Sequence, residues 1–250
     1  MHAHRPPVID RKVRFAVLGC GRIAGNHVEA IHKHADRCEL VALCDTDPAA
    51  LAAAVARTGA PGFASLSEML AAREADCVVL TTPSGLHAQQ AQEVAAAGLD
   101  VMTEKPMATR WADGVAMVRA CDDAGVRLFV VKQNRRNRTL QLLKQAVDAG
   151  RFGRIYMVTV NVFWTRPQAY YDSAAWRGTW EFDGGAFMNQ ASHYIDLLDW
   201  IVGPVESVMA YTGTLARDIE VGRRRVGSQG RRRSSRRPPG SGCRRGSYRS

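Results

Sequence analysis

The chain has no apolar stretch approaching the roughly 18 residues that a membrane-spanning helix needs, and its first residues, MHAHRPPVIDRKVR, lack the apolar core of a secretory signal. Neither a membrane partner nor export is expected, and a cytoplasmic location is. The six cysteines (Cys20, Cys38, Cys44, Cys77, Cys121 and Cys243) contain no C-x-x-C pair. That spacing indicates neither a disulfide framework nor a zinc site, and the thiols read as reduced and mostly buried. His2, His4, His32 and His34 fall at a frayed terminus and an exposed helix end, so no metal is expected. Acid is missing from Gly222 to Ser250, where eleven arginines lie. The net charge of +10 therefore belongs to that tail, because the other 23 basic residues nearly cancel the 24 acidic ones. A nucleic-acid surface on the body of the protein is not expected.

An apolar run, VRFAVLG, leads into GCGRIAGNH, which opens an amphipathic helix, and a second run, ELVALCD, ends in Asp45, 20 residues past Gly25. This order suits a dinucleotide. Gly19 permits a tight turn, Gly21 allows the backbone to approach a pyrophosphate, and Ala24 stands at the third small position, with Arg22 and Ile23 between. The helix amino end faces the phosphates, and Asp45 accepts hydrogen bonds from the ribose hydroxyls. A carboxylate repels a 2′-phosphate, and Thr46, Asp47 and Pro48 provide no arginine to bind one. NAD is therefore expected rather than NADP.

Further runs, DCVVLTTP, LDVMTEKP and VRLFVVKQN, alternate with alanine-rich helical stretches. Runs apolar on both faces, each followed by a helix, indicate a parallel sheet covered on both sides. The fold expected is α/β, a doubly wound Rossmann sheet over residues 12–135, preceded by a disordered stretch at 1–11. After about Gly150 the texture changes. RIYMVTVNVFW and ESVMAYTGTLA read as strands, with a helix from about Gly184 to Ile201 between them. Residues 136–221 thus read as an incomplete α+β domain with an open antiparallel sheet, for substrate and for subunit contacts. Ten of the eighteen aromatics lie between Phe163 and Trp200, where they could stack on a ligand or fill a core.

In doubly wound sheets, ligands bind beyond the carboxyl ends of the strands. Thr82, Pro83, Ser84 and His87 follow one run and Glu104-Lys105-Pro106 another, at the expected nicotinamide end of a cofactor. Ser84 is also expected to cap the next helix. Lys105 is suited to hydrogen-bond a substrate hydroxyl and to stabilise charge as that hydroxyl is oxidised.

G-x-G-x-x-A, the acid ending the second run, T-P-x-x-x-H and E-K-P together resemble the Gfo/Idh/MocA family of sugar oxidoreductases, over about residues 12–216. A glycine pair leading into H-x-x-D, here DGGAFMNQASHYIDLLDW, is similar to that family's second-domain signature. Helical spacing puts Ala191, Tyr194, Leu198 and Ile201 on one stripe, with Asn189, His193, Asp196 and Trp200 on a face that lines a pocket. The resemblance implies that His193 takes a hydroxyl proton while the carbon gives its hydride to NAD, with Lys105 holding the same oxygen. Many relatives carry aspartate four residues before this histidine. Asn189 cannot relay a proton in that way and is assigned, with Gln190, to substrate contact.

VVKQNRRN, FWTRP, WRGTWEFDGGAFMNQASHY and DLLDWIVGPV are similar to the branch that oxidises C3 of UDP-N-acetylglucosaminuronate for bacterial surface polysaccharide. Arg135, Arg136, Arg166 and Arg177 are candidates to pair with the diphosphate and the uronate. Other sugars or inositols are alternative substrates. Family members form homo-oligomers. The abrupt change after Val221 is expected to be a frameshift within GC-rich coding sequence, leaving a disordered tail and weak activity or none. A nucleotide-binding module with a nucleic-acid-binding tail is the competing reading.

Overall fold

The apolar runs form a six-stranded, all-parallel sheet in the computed structural model, which describes residues 6–214 and 216–221. Strands β1 (Val13–Leu18), β2 (Cys38–Cys44), β3 (Gly62–Phe63), β4 (Cys77–Leu80), β5 (Asp100–Thr103) and β6 (Leu128–Val130) stand in the order β3-β2-β1-β4-β5-β6. Helices α1 (Ala24–Lys33), α2 (Pro48–Thr58), α3 (Leu66–Ala71), α4 (His87–Ala96) and α5 (Trp111–Asp123) make the crossovers. Alternate strand residues separate into two cores. Val17, Leu43 and Val79 pack with Val28 and Ile31 of α1, whereas Leu18, Val78, Leu80 and Val101 pack with Val94 of α4 and Met117 of α5. Period-two alternation between two covered faces is why the runs read as continuously apolar. The strand order reverses between β1 and β4, so the crevice of the sheet opens at Gly19 and Thr81.

Order begins before residue 12. Arg11 donates to both oxygens of Asp76, at 2.5 and 2.8 Å, and Arg14 adds its backbone N–H at 2.9 Å. The Arg11 bonds foremost, helped by Arg14, hold the Asp76 carboxyl well below the usual carboxylate range. The stretch expected to be disordered through residue 11 is thus anchored at its end.

Beyond β6 come α6 (Arg138–Asp148), α7 (Gln168–Asp172) and α8 (Ser192–Val202). Helix α8 starts later than Gly184, because Gly184 and Gly185 take φ of 71° and 85°, outside the helical region. Its apolar stripe, Tyr194, Leu198 and Ile201, faces Leu140, Leu143 and Val147 of α6 across a groove. The strands expected at 154–164 and 206–216 carry no ladder among the described residues. Extended backbone becomes a strand only when a neighbour takes up its N–H and C=O groups, and no such neighbour is present among the described residues. Most of the described side chains there are accordingly open to solvent, with Tyr156 and Met157 more than 80% exposed. The arginine-rich tail and its proposed disorder lie outside the described residues.

Candidate active site

A cavity of about 510 Å³ opens at the crevice and is lined by Gly19, Gly21, Arg22, Ile23, Asp45, Thr82, Pro83, Ser84, His87, Glu104, Lys105 and Asn189, among others. Gly19 has φ of 96°, and a Cβ there would come within 3.0 Å of the Thr81–Thr82 backbone. Only glycine fits this turn. Thr81 closes it by donating its hydroxyl toward the carbonyls of Leu18 and Gly19, at 2.9 and 2.6 Å. A Cβ on Gly21 would meet nothing within 4 Å, so that side of the loop is open. No side chain caps the amino end of α1, which leaves helix N–H groups available to a phosphate. Ala24 is buried beneath the loop. Asp45 accepts from the backbone N–H of Cys20 (2.6 Å) and of Asp47 (2.8 Å), one bond per oxygen. The carboxylate keeps further acceptor sites for ribose hydroxyls. These features fit a dinucleotide lacking a 2′-phosphate.

Two histidines brace the other end. His87 is 1% exposed, with Nδ1 2.9 Å from the Pro106 carbonyl and Nε2 2.9 Å from the Thr82 carbonyl. Its ring ties the T-T-P turn to the E-K-P turn. Burial pushes its pKa down, against the pull of both carbonyls and Glu104. His27 of α1 pairs through Nε2 with Glu104 Oε1 at 2.9 Å, and Glu104 Oε2 accepts the Lys105 backbone N–H at 3.2 Å. Burial raises the Glu104 pKa, but the bond and charge of His27 and then Lys105 outweigh it, and the carboxyl lies below its ordinary value. Ser84 begins a 3-10 turn, Ser84–Leu86, and no side chain caps α4. The expected cap is absent because that turn intervenes between Ser84 and the helix.

The segment 176–184 folds onto this site through Gly85. A Cβ on Gly85 would lie 2.3 Å from the Glu181 carbonyl oxygen and 2.9 Å from Phe182 Cα. Thr109 holds the same Glu181 carbonyl with its hydroxyl at 2.9 Å. Gly85→Ala is expected to destabilise the protein by roughly 1–3 kcal/mol through overpacking, read as a lower urea midpoint. An unchanged midpoint contradicts this contact.

Lys105 reaches across to Asn189, donating from Nζ to its carbonyl oxygen at 3.0 Å and approaching its Oδ1 at 3.4 Å. Asn189 Nδ2 in turn donates to Asp183 Oδ1. Burial lowers the Lys105 pKa; Lys132 and Arg166 add to the shift, and Glu104 and Asp183 oppose it. His193 is 8% exposed, and its Nδ1 is buried without a hydrogen-bond partner. Burial, then Lys105 and Lys132, push its pKa down, so the imidazole is neutral at physiological pH. Lys105 and Asn189 line the cavity, whereas His193 and Gln190 do not.

The arginines separate into two groups. Arg135 is taken up by Asp196 in a two-bond pair, at 2.8 and 2.7 Å, and lies over Trp200, so it holds α8 in place. Arg166 and Arg177 both stack on Tyr170, at 5.1 and 4.3 Å from its ring centre, and the Nε of each is buried without a partner. Arg177, Tyr170 and Trp176 line the cavity. Sequence reasoning missed His27, Gly85 and Asp183, although His27 stands within the glycine-loop motif and Gly85 within T-P-S-G.

Among the described residues there is no cluster of metal-binding side chains, and no helix is long and apolar enough to cross a membrane. The family described as "Oxidoreductase family, NAD-binding Rossmann fold" matches residues 13–132, and the "GFO/IDH/MocA C-terminal domain" matches residues 140–227. The WlbA dehydrogenase of Chromobacterium violaceum, solved with NADH and UDP-GlcNAcA, is 72% identical with a TM-score of 0.85, covering 87% of this chain and 63% of its own. The WlbA dehydrogenase of Bordetella pertussis, solved with the same two molecules, is also 72% identical with a TM-score of 0.84, covering 86% of this chain and 64% of its own. An inositol 2-dehydrogenase of Rhizobium meliloti is 30% identical over 82% of this chain and 58% of its own length. The chain thus spans less than two thirds of these relatives.

Proposed function

The chain belongs to the Gfo/Idh/MocA oxidoreductase family, and from that premise we propose that it oxidises a ring hydroxyl of a sugar nucleotide to a ketone with NAD, at a reduced rate because its second domain has no paired strands among the described residues. The substrate proposed is UDP-N-acetylglucosaminuronate, oxidised at C3 in the cytoplasm for bacterial surface polysaccharide. Residues 12–135 hold the cofactor, and residues 136–221 hold the sugar and carry contacts between subunits. The observation that carries the reading is one cavity with Asp45, Lys105 and Arg177 on its wall. Arg166 and Arg177 crowd one aromatic ring with unpartnered donors. Two adjacent guanidiniums suit an anionic ligand such as a uronate or diphosphate. The WlbA dehydrogenases support the same substrate class.

Bound NAD supplies the acceptor for the carbon-bound hydrogen and its electron pair. The glycine loop and Asp45 hold its phosphates and ribose. Lys105, on the cavity wall, donates a hydrogen bond to the substrate oxygen and stabilises the negative charge that grows there. His193, outside the cavity lining, is the acceptor assigned to the hydroxyl proton, because its lowered pKa keeps it neutral. Asn189 limits where the Lys105 ammonium can go.

The test supplies NAD and one of three substrates to the full chain: UDP-N-acetylglucosaminuronate, UDP-N-acetylglucosamine or myo-inositol. Absorbance of the reduced nicotinamide reports turnover, and calorimetry reports substrate affinity independently of it. The uronate is expected to be preferred over UDP-N-acetylglucosamine by at least roughly 100-fold, because the analogue lacks the sugar carboxylate and leaves its guanidinium donors unpaired. Equal use of that analogue, or a preference for inositol, sinks the uronate assignment.

A further inference from the structure

Asp183 is 3% exposed, and both of its oxygens are occupied. Oδ2 accepts the Gly178 N–H at 2.9 Å, and Oδ1 accepts from Asn189 Nδ2. The hydrogen-bond directions along Asp183, Asn189 and Lys105 are forced. A carboxylate only accepts, an ammonium only donates, and the amide between them serves both by giving Nδ2 to one and Oδ1 to the other. Reversing the amide would set a donor against the ammonium and an oxygen against the carboxylate. The Asp183 charge therefore decides which end of Asn189 faces Lys105.

We propose that Asp183 is the positioning residue of this site, orienting the Asn189 amide toward Lys105 and supplying buried negative charge that neutral residue 189 does not carry. The proposal rests on reading Lys105 as the group that meets the substrate oxygen. Asp183 touches no reacting atom; it acts through Asn189 and through its field. The charged and titratable groups that bear on Lys105 are Glu104, Lys132, Asp183, Arg166 and His193.

The same logic prescribes a swap. With Asp183→Asn alone, the new amide keeps the Gly178 bond through its oxygen and turns a donor on Asn189, which must flip and present Nδ2 to the ammonium. In the double variant Asp183→Asn/Asn189→Asp, the new amide donates to a carboxylate that again accepts from Lys105. Charge and hydrogen-bond direction are both restored.

The experiment uses the full chain labelled at the lysine ε-carbons, with Lys12, Lys33, Lys105, Lys132 and Lys144 as the only signals and Lys105→Arg for assignment. Lys105 is titrated by NMR without NAD or substrate, beside steady-state turnover. Asp183→Asn is expected to lower the Lys105 midpoint by about one pH unit. Its kcat should fall about tenfold with the KM for NAD unchanged. The swap is expected to recover both. An unmoved midpoint in Asp183→Asn overturns the proposal, as does a folded swap variant that fails to recover. If Asp183→Asn does not fold, the swap decides alone: a folded chain with a midpoint at or above the wild-type value supports the proposal, and an unfolded chain or a lowered midpoint overturns it. Failure of the dehydrogenase reading is distinguishable, because it abolishes turnover in the unaltered chain and leaves these midpoints as expected.

Discussion

Lys105→Met is expected to lower kcat/KM for the sugar nucleotide by roughly 100- to 1,000-fold while leaving NAD affinity within about twofold. Methionine keeps the length and most of the volume of lysine and removes the cationic donor that lines the cavity and bonds Asn189. Charge builds on the substrate oxygen mainly as the transition state is reached, so the loss should fall on kcat more than on KM. The same ammonium sets an alkaline limit. It must stay protonated to donate, and burial lowers its pKa, so activity should decline with rising pH before an ordinary lysine would titrate. Steady-state kinetics across pH, with NAD titrated separately by fluorescence, checks both statements. A variant with full kcat and a raised KM would reassign Lys105 to simple binding.

His193→Asn is expected to reduce kcat by roughly 100- to 10,000-fold, the range for a removed general base. The sign of the pH effect follows from its environment. Burial, Lys105 and Lys132 lower its pKa, so the neutral, proton-accepting form persists to lower pH than for a free histidine. Activity should therefore be flat through neutrality and fall on the acid side, and that acid limb should vanish in His193→Asn. Added imidazole is expected to restore part of the rate by entering the space vacated by the ring. Persistence of the acid limb in the variant would assign it to another group.

Much of this site was legible along the chain because its parts are local. Gly19 and Gly21 follow a strand, and Asp45 ends the next one. Each meaning comes from a strand-to-helix turn a few residues long, so motif spacing carried the cofactor half. Apolar runs covered on both faces carried the parallel sheet. β3 was not read because two residues, Gly62 and Phe63, leave no periodicity to detect. The Ser84 cap failed for a local reason, an intervening 3-10 turn.

Asp183 was invisible for a different reason. It stands six residues before Asn189, and only the turn through Gly184 and Gly185 brings its carboxylate onto the Asn189 amide. Arg135 and Arg177 look alike in sequence. Asp196, 61 residues away, occupies the first, while the second lines the cavity and has a buried, unpartnered Nε. The segments at 154–164 and 206–214 have the composition of strands, yet a strand is a pairing and composition supplies only half of it.

By itself, the sequence determined the features set by neighbours within one turn or one strand: the parallel sheet, the glycine loop, Asp45 and the nomination of Lys105, with His193 added by the family resemblance. The tertiary structure alone decided which charges are spent on each other and which remain for a ligand. Hydrogen-bond direction and ion pairing depend on groups that meet through folding, often across tens of residues, and no local pattern records those meetings.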